Sequence, residues 1–436
     1  MKVKPPSFTD SGGVDAVREV LSDAGYQTDI IVDYLGAVPG RIPAERFPEI
    51  EERIHSRTDK LGLMLELFFL GLTCYSDHAE KLLGQDAVRA LIKCGLLRAG
   101  AGLLTPMARL SPVDNLVIAS DPLKLHKEKR SDYVLAPFGV GLRLADLMFR
   151  RPIGSMLDLG CGSGMLGSLA CGFADRVTLT DINPRAVAFS RFNTLLNGFG
   201  QAKCIQGDLF DSVGEERFDL IVCNPPYVIS PCQTYSYRDG GIEFSSRVIK
   251  QAVPHLADDG WLQMWLEWPE YPDRDWRYEM DRQLSAAQCD GWVLRLYSQD
   301  LPTYSTIWLQ QEYGGDAIPE KELITWQRYL ADLGIAAVGG GLLVARRCST
   351  KTTVRTIRDA PIISPGPIGE ALELWLNAQI LLNQLNEPEQ LLDIPLAPAP
   401  SLKLESVMKT IRGTYGLEHR LEIENGLRFG AQVDPL

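Results

Sequence analysis

Leu157-Asp158-Leu159-Gly160-Cys161-Gly162-Ser163-Gly164-Met165-Leu166 decides the fold. The apolar residues that open it read as a strand, and those that close it read as the start of a helix. Glycines between them let the chain turn tightly and let a ligand approach the backbone, while the helix start presents free N–H groups. Alone, such a loop is weakly specific. Gly162-Ser163-Gly164-Met165-Leu166-Gly167 even satisfies the GxGxxG pattern of dinucleotide-binding proteins.

The flanking sequence narrows the reading. Short apolar runs alternate with helical stretches from Ser155 to about Arg347, the pattern of a doubly wound parallel sheet. The expected strands are Met156 to Gly160, Arg176 to Asp181, Lys203 to Gln206, Phe218 to Cys223, Trp261 to Glu267, Trp292 to Tyr297 and Gly340 to Ala345. The fold class is therefore α/β, with a Rossmann-like seven-stranded sheet. The second strand ends at Asp181, 23 positions after Asp158, where an acid can take both hydroxyls of a ribose. The third leads into Gly207-Asp208-Leu209-Phe210. There Asp208 can accept a hydrogen bond from an adenine amino group, with Ile182 and Leu209 as apolar neighbours of the ring. Each acid taken singly would also suit a cap or a turn. Together they suit an adenosyl ligand, supplied by a dinucleotide or by S-adenosylmethionine.

The fourth strand closes on Asn224-Pro225-Pro226-Tyr227-Val228. Consecutive prolines stiffen the backbone and remove two N–H donors, leaving carbonyls to point into a cleft. The Asn224 side-chain oxygen and the Pro225 carbonyl can each accept one hydrogen of an NH2 group, and Tyr227 can stack on a flat substrate.

With these segments the chain resembles the class I methyltransferases of the NPPY group, among them protein glutamine N5-methyltransferases and N6-adenine and N2-guanine enzymes. The resemblance spans roughly residues 137–266 and is carried by LDLGCGSG at 157–164, TDINPRAV at 180–187 and NPPYV at 224–228. It implies S-adenosylmethionine as cofactor, bound by Asp158, Gly160, Cys161, Gly162, Gly164, Asp181, Ile182, Asp208, Leu209 and Asn224. It makes Asn224, Pro225, Pro226 and Tyr227 the catalytic motif. Tyr227-Val228 is closer to the glutamine and adenine branches than to the guanine branch, and Asp239-Gly240-Gly241 resembles the Gly-Gly segment of the glutamine enzymes. Upstream, where that branch carries Pro-Arg-x-Glu-Thr, this chain reads Val134-Leu135-Ala136-Pro137-Phe138-Gly139-Val140-Gly141.

Composition sets the outer limits. The chain has 436 residues, too many for one ordinary domain, with 45% hydrophobic and 23% charged residues. A helical, winged-helix-like domain is expected over 1–121, the methyltransferase domain over 122–349, and an extension over 350–436 with a proline-rich connector at 386–401. In the first domain, helices after Thr58, near Asp77 to Leu83 and from Gln85 to Cys94 precede short strands around Leu96 to Arg98 and Leu103 to Leu110. The net charge of −12 argues against a protein that grips long nucleic acid by its phosphates. Lys124, Lys127, Lys129 and Arg130 form the one local run suited to RNA, and a solvated loop is its usual meaning.

Nine cysteines without a CxxC pair and five histidines without ligand spacing give no metal site and fit a reducing cytoplasm. The longest apolar run, Leu61 to Leu72, is too short to span a membrane, and no apolar stretch follows Met1 as in a secretory signal. Trp261 and Trp265 alternate onto one strand face as core. Trp268, at the strand end, is a candidate wall of an acceptor pocket, and Glu267 a candidate anchor for a cationic substrate. The expected acceptor is an amide or amino nitrogen of a protein, peptide or small metabolite, with an RNA base as the alternative. A cofactor-binding scaffold without activity is disfavoured by the intact Asn224 to Tyr227. A dehydrogenase is disfavoured because that motif has no part in hydride transfer.

Overall fold

The computed structural model describes residues 3–432 apart from 233, 235–236, 241–242, 314–316, 348–352, 364–365, 386, 395–401, 412–413, 424–426 and 429–430. All seven expected strands are present: β1 Ile153–Leu159, β2 Ala174–Asp181, β3 Lys203–Gln206, β4 Phe218–Cys223, β5 Leu256–Glu270, β6 Asp290–Asp300 and β7 Ala337–Arg346. An eighth, β8 Arg355–Asp359, was not expected from sequence. Their order is β8-β6-β7-β5-β4-β1-β2-β3, with β7 antiparallel between β5 and β6 and the remaining pairs parallel. The strands read as near-continuous apolar runs because helices cover both faces. The chain proceeds outward in opposite directions on either side of the β1/β4 pair, so a crevice opens beyond their carboxyl ends.

The flanking helices are α1 Gly139–Leu147, α2 Met165–Ala170, α3 Pro184–Leu196, α4 Phe244–Ala252, α5 Trp276–Ala287, α6 Leu301–Tyr313 and α7 Glu320–Asp332. Alternation along each strand divides the core. Met156, Trp261, Trp265 and Leu342 pack on one face, and Leu157, Met264, Leu266 and Leu343 on the other.

The N-terminal region has the winged-helix plan. Lys60–Leu65, Ser76–Leu83 and Gln85–Lys93 are helices, and Cys74–Tyr75, Leu103–Pro106 and Leu97–Gly100 form a three-stranded antiparallel sheet. This region is not a loosely tethered unit. Its core includes Ala186, Phe189, Phe192 and Leu196 from α3. A hairpin of Arg109–Val113 and Leu116–Ser120 supplies the junction, through two asparagines, one in the last turn of α3 and one capping its end. Asn193 accepts from the Ala119 amide at 2.8 Å and donates to its carbonyl at 2.8 Å. Asn197 does the same with Val117 at 2.9 Å each way. The two side chains imitate a neighbouring strand and satisfy the hairpin's edge.

The boundary drawn at residue 349 falls inside the sheet. β8 pairs with β6 in parallel, and helix Gly369–Gln384 buries Leu372, Leu376 and Ile380 in the main core cluster. A five-residue strand rich in charge, Arg355-Thr356-Ile357-Arg358-Asp359, lacks the apolar run that marks the others. Within the proline-rich connector, Pro388–Asp393 is a short 3-10 helix rather than extended chain, and 395–401 lie outside the described residues. Beyond them Leu402–Ile411 and Thr414–Ile423 pair as an antiparallel hairpin.

Candidate active site

β1 delivers the chain to Gly160, Gly162 and Gly164, whose φ angles are +70°, +55° and +75°. L side chains are strained in that region, so glycine is required at all three. Their surroundings differ. A Cβ on Gly160 or Gly162 would meet nothing within 4 Å, whereas one on Gly164 would lie 2.7 Å from Ser190 Oγ and 3.0 Å from Leu179 Cδ2. The first two line an open cradle; Gly164 permits the close approach of α3 and β2.

The cradle is held from below. The Gly160 and Cys161 amides both donate to the Thr180 carbonyl, at 2.8 and 2.9 Å, and Asn193 donates to the Ser163 carbonyl at 2.8 Å. Asp158 accepts from the Gly167 amide at 2.7 Å. Its side chain is 1% exposed, and burial pushes its carboxyl up to about 7. This corrects the expectation that it contacts the cofactor: Asp158 supports the loop. The Cys161 side chain is also turned inward, with Sγ 3.2 Å from Ser190 Oγ.

Asp181 stands at the end of β2. Its two carboxylate oxygens accept the Gly162 and Asn183 amides at 2.9 and 2.8 Å, and burial raises its pKa. Each oxygen keeps a second lone pair, the requirement for taking the two hydroxyls of a ribose. Ile182 beside it is 58% exposed, an apolar surface with no protein cover. Asp181 pairs with Gln206 of β3, so Asp208 and Leu209 emerge at the same edge. Asp208 is exposed, with an oxygen 3.9 Å from the Arg247 guanidinium, and Leu209 has a φ of +47°.

Cys223 of β4 is in register with Leu159 of β1. Asn224 is therefore level with Gly160 on the adjacent strand, at the ~4.8 Å spacing of neighbouring strands. Asn224 Oδ1 is buried and has no hydrogen-bond partner. Leaving a buried acceptor unpaired costs about 1–3 kcal/mol, a deficit that a ligand N–H removes. Behind it the loop is walled in. The Val228 amide donates to the Arg238 carbonyl at 2.9 Å, and a Cβ on Gly240 would lie 1.7 Å from the Pro226 carbonyl oxygen. Pro226 is thus covered by Gly240, and Gly241 lies outside the described residues. Pro225 is buried.

Two candidate substrate contacts are corrected. Tyr227 is 7% exposed, its ring edge-on to Trp308 at 6.1 Å between centroids. Its face serves the core rather than an incoming substrate. Trp268 is 2% exposed and stacks on Trp276 at 5.1 Å, beneath α5. The strand continues past it to Glu270, so it does not end at the cleft. Glu267 is no anchor for a substrate cation either. It is 5% exposed and accepts hydrogen bonds from the Tyr297 and Tyr304 hydroxyls, both at 2.7 Å. Two residues that support the loop carried no mark in the sequence: Tyr304, in a segment without a motif, and Arg238, directly before Asp239-Gly240-Gly241.

The basic run is partly neutralised. Lys129 pairs with Glu312 at 2.9 Å and Arg130 with Asp132 at 2.6 Å. Among the described residues no helix is long and apolar enough to cross a membrane, and no group of three or more His, Cys, Asp or Glu is placed to hold a metal. None of the described cysteines forms a disulfide; Cys348 lies outside the described residues.

An open glycine cradle, a strand-end carboxylate with free lone pairs, an exposed apolar neighbour and an orphaned acceptor fit S-adenosylmethionine and a Rossmann-like methyltransferase domain. Residues 142–269 match the methyltransferase small domain family. The chain is 34% identical over 125 residues to a ribosomal protein uL3 glutamine methyltransferase of Francisella tularensis, covering 25% of this chain and 40% of that protein. It is 31% identical over 113 residues to a ribosomal RNA small subunit methyltransferase C of Cronobacter sakazakii, covering 26% and 30%. An uncharacterised Bacillus subtilis protein is 43% identical over 91 residues, covering 20% and 45%. The chain spans less than half the length of each of these relatives.

Proposed function

We propose that the chain methylates a planar nitrogen, and that the acceptor is a side-chain amide of a protein. The observation that carries this reading is the buried, unpartnered Asn224 Oδ1 beside the glycine cradle. An oxygen acceptor without a donor asks for an N–H. An NH2 group held by Asn224 Oδ1 and, as the second acceptor, the Pro225 carbonyl has both hydrogens fixed in its plane. Its remaining reactive direction is then perpendicular to that plane.

S-adenosylmethionine supplies an electrophilic methyl group. The residues of this chain supply position: Gly160 and Gly162 the backbone cradle, Asp181 the diol contact, Ile182 and Leu209 the apolar flanks, Asp208 a contact at the adenine edge. Orientation of this kind is worth several kcal/mol of barrier. The proton leaves after transfer, so no strong base is needed at Asn224.

A protein acceptor is favoured over RNA because the basic run is offset by Glu312 and Asp132 and the chain is acidic. The second reading, an RNA base, is kept open by the small-subunit rRNA relative. The test uses tritiated S-adenosylmethionine and cell extract separated into protein, RNA and small-molecule fractions. Label in protein that Asn224→Ala abolishes, with calorimetric affinity for S-adenosylhomocysteine retained, is the expected result. Label confined to RNA overturns the acceptor assignment. Undiminished labelling by Asn224→Ala overturns the role of that residue.

A further inference from the structure

The acceptor loop is joined to a buried carboxylate by a chain of hydrogen bonds. The Ile229 amide, two residues beyond Tyr227, donates to the Tyr304 hydroxyl oxygen at 3.0 Å. The Tyr304 hydroxyl donates to one oxygen of Glu267 at 2.7 Å, and the Tyr297 hydroxyl donates to the other at 2.7 Å. Tyr304 is 0% and Glu267 5% exposed. Three separate elements, β5, β6 and α6, therefore meet at one carboxylate behind the segment that carries Asn224 to Tyr227.

We infer that Glu267 and Tyr304 are positioning residues for the acceptor: they hold the Ile229 amide and thereby set where Asn224 and Pro225 stand. This rests on the methyltransferase reading above.

A carboxylate has no hydrogen to donate, so it directs both tyrosine hydroxyls toward itself. With its hydrogen committed to Glu267, Tyr304 can only offer a lone pair to its other neighbour, and that neighbour is the Ile229 N–H. The loop has few other anchors. Two of its residues are prolines without N–H groups, and the Val228 amide is taken by the Arg238 carbonyl. The local packing also favours a dedicated network. Gly340 faces the Tyr297 ring so closely that a Cβ there would lie 2.2 Å from it, which leaves Tyr297 one place to stand. A carboxylate is costly to bury, and the two consecutive hydrogen bonds that lead from it through Tyr304 to the acceptor loop give it a use that core packing does not.

Tyr304→Phe removes the hydroxyl and keeps the ring in the core; Glu267→Gln keeps the shape and removes the charge. With the full-length chain, hydrogen exchange of the peptide containing Ile229 is expected to quicken about tenfold or more in Tyr304→Phe, and less in Glu267→Gln. Exchange elsewhere in the sheet is expected to hold. Using the protein fraction of cell extract and tritiated S-adenosylmethionine, the apparent kcat/KM for that fraction is expected to fall at least tenfold in Tyr304→Phe. The KM for S-adenosylmethionine is expected to change less than twofold.

Unchanged exchange at Ile229, or a loss of kcat/KM matched by an equal rise in the cofactor's KM, overturns the positioning role. If the wild-type chain labels no protein while the exchange effect appears, it is the acceptor reading that fails and the network that stands.

Discussion

The Asp181 carboxylate accepts the Gly162 amide at 2.9 Å, so the residue proposed to take the ribose also shapes the glycine loop. Removing it has two consequences at once. Asp181→Ala is expected to raise the calorimetric Kd for S-adenosylhomocysteine at least about tenfold, because each hydrogen bond to a charged group contributes roughly 1.5–3 kcal/mol. An unchanged Kd contradicts its assignment to the cofactor.

The glycines of the loop separate by what their missing side chains would meet. Gly162→Ala places a methyl in the open cradle at a φ of +55°, with a strain of about 1–2 kcal/mol and the larger loss expected in cofactor affinity. Gly167→Ala drives a methyl to within 2.5 Å of Leu179, and overpacking of this kind costs about 1–3 kcal/mol of stability. Thermal melts and calorimetry on both variants should show opposite emphasis. Equal effects on both measurements would contradict the division.

Burial raises the Glu267 carboxyl from 4.5 to about 7, with Tyr227, Tyr297 and Tyr304 as the titratable groups around it. Between these two values the folded chain binds more protons than the unfolded one, so stability falls as pH rises through that window. The change is on the order of 3 kcal/mol. The melting temperature of Glu267→Gln minus that of wild type is therefore expected to increase from pH 5 to pH 8. A difference that is flat with pH removes Glu267 as its source.

Asp121 and Arg185 form a buried pair, 0% and 7% exposed, with Arg185 Nε 2.8 Å from Asp121 Oδ2. It pins the start of α3 to the segment leading out of the N-terminal hairpin. Asp121→Ala leaves a buried guanidinium without its partner and is expected to cost about 3–5 kcal/mol, while the double variant Asp121→Leu with Arg185→Met recovers much of that loss. Denaturant titrations of wild type and the two variants check this, and a double variant no more stable than Asp121→Ala would contradict it.

The sheet was legible because a strand covered on both faces must be apolar along its whole length. The central strands meet that condition over most of their length, whereas β8 is an edge strand with three charged residues in five and carries no such mark. The glycine loop was legible for a local reason: Gly160 and Gly162 are fixed by backbone conformation, and one acid, Asp181, stands at a strand end. Trp268 was misread because the strand end was placed at Glu267, which makes the next residue a rim residue; the strand in fact runs to Glu270. Tyr227 and Glu267 were misread for a different reason. Their partners, Trp308 and Tyr304, lie on a helix more than 30 residues beyond the motif, and only the three-dimensional packing brings them together.

The central claim is that this site puts a methyl group on an amide nitrogen, and product analysis tests it most directly. Protein labelled by the full-length chain is digested, and the labelled peptide is sequenced by mass spectrometry. The account predicts a single methylated glutamine or asparagine side chain, absent when Asn224 is alanine. A methyl group on oxygen, on sulfur or on an RNA base would contradict it.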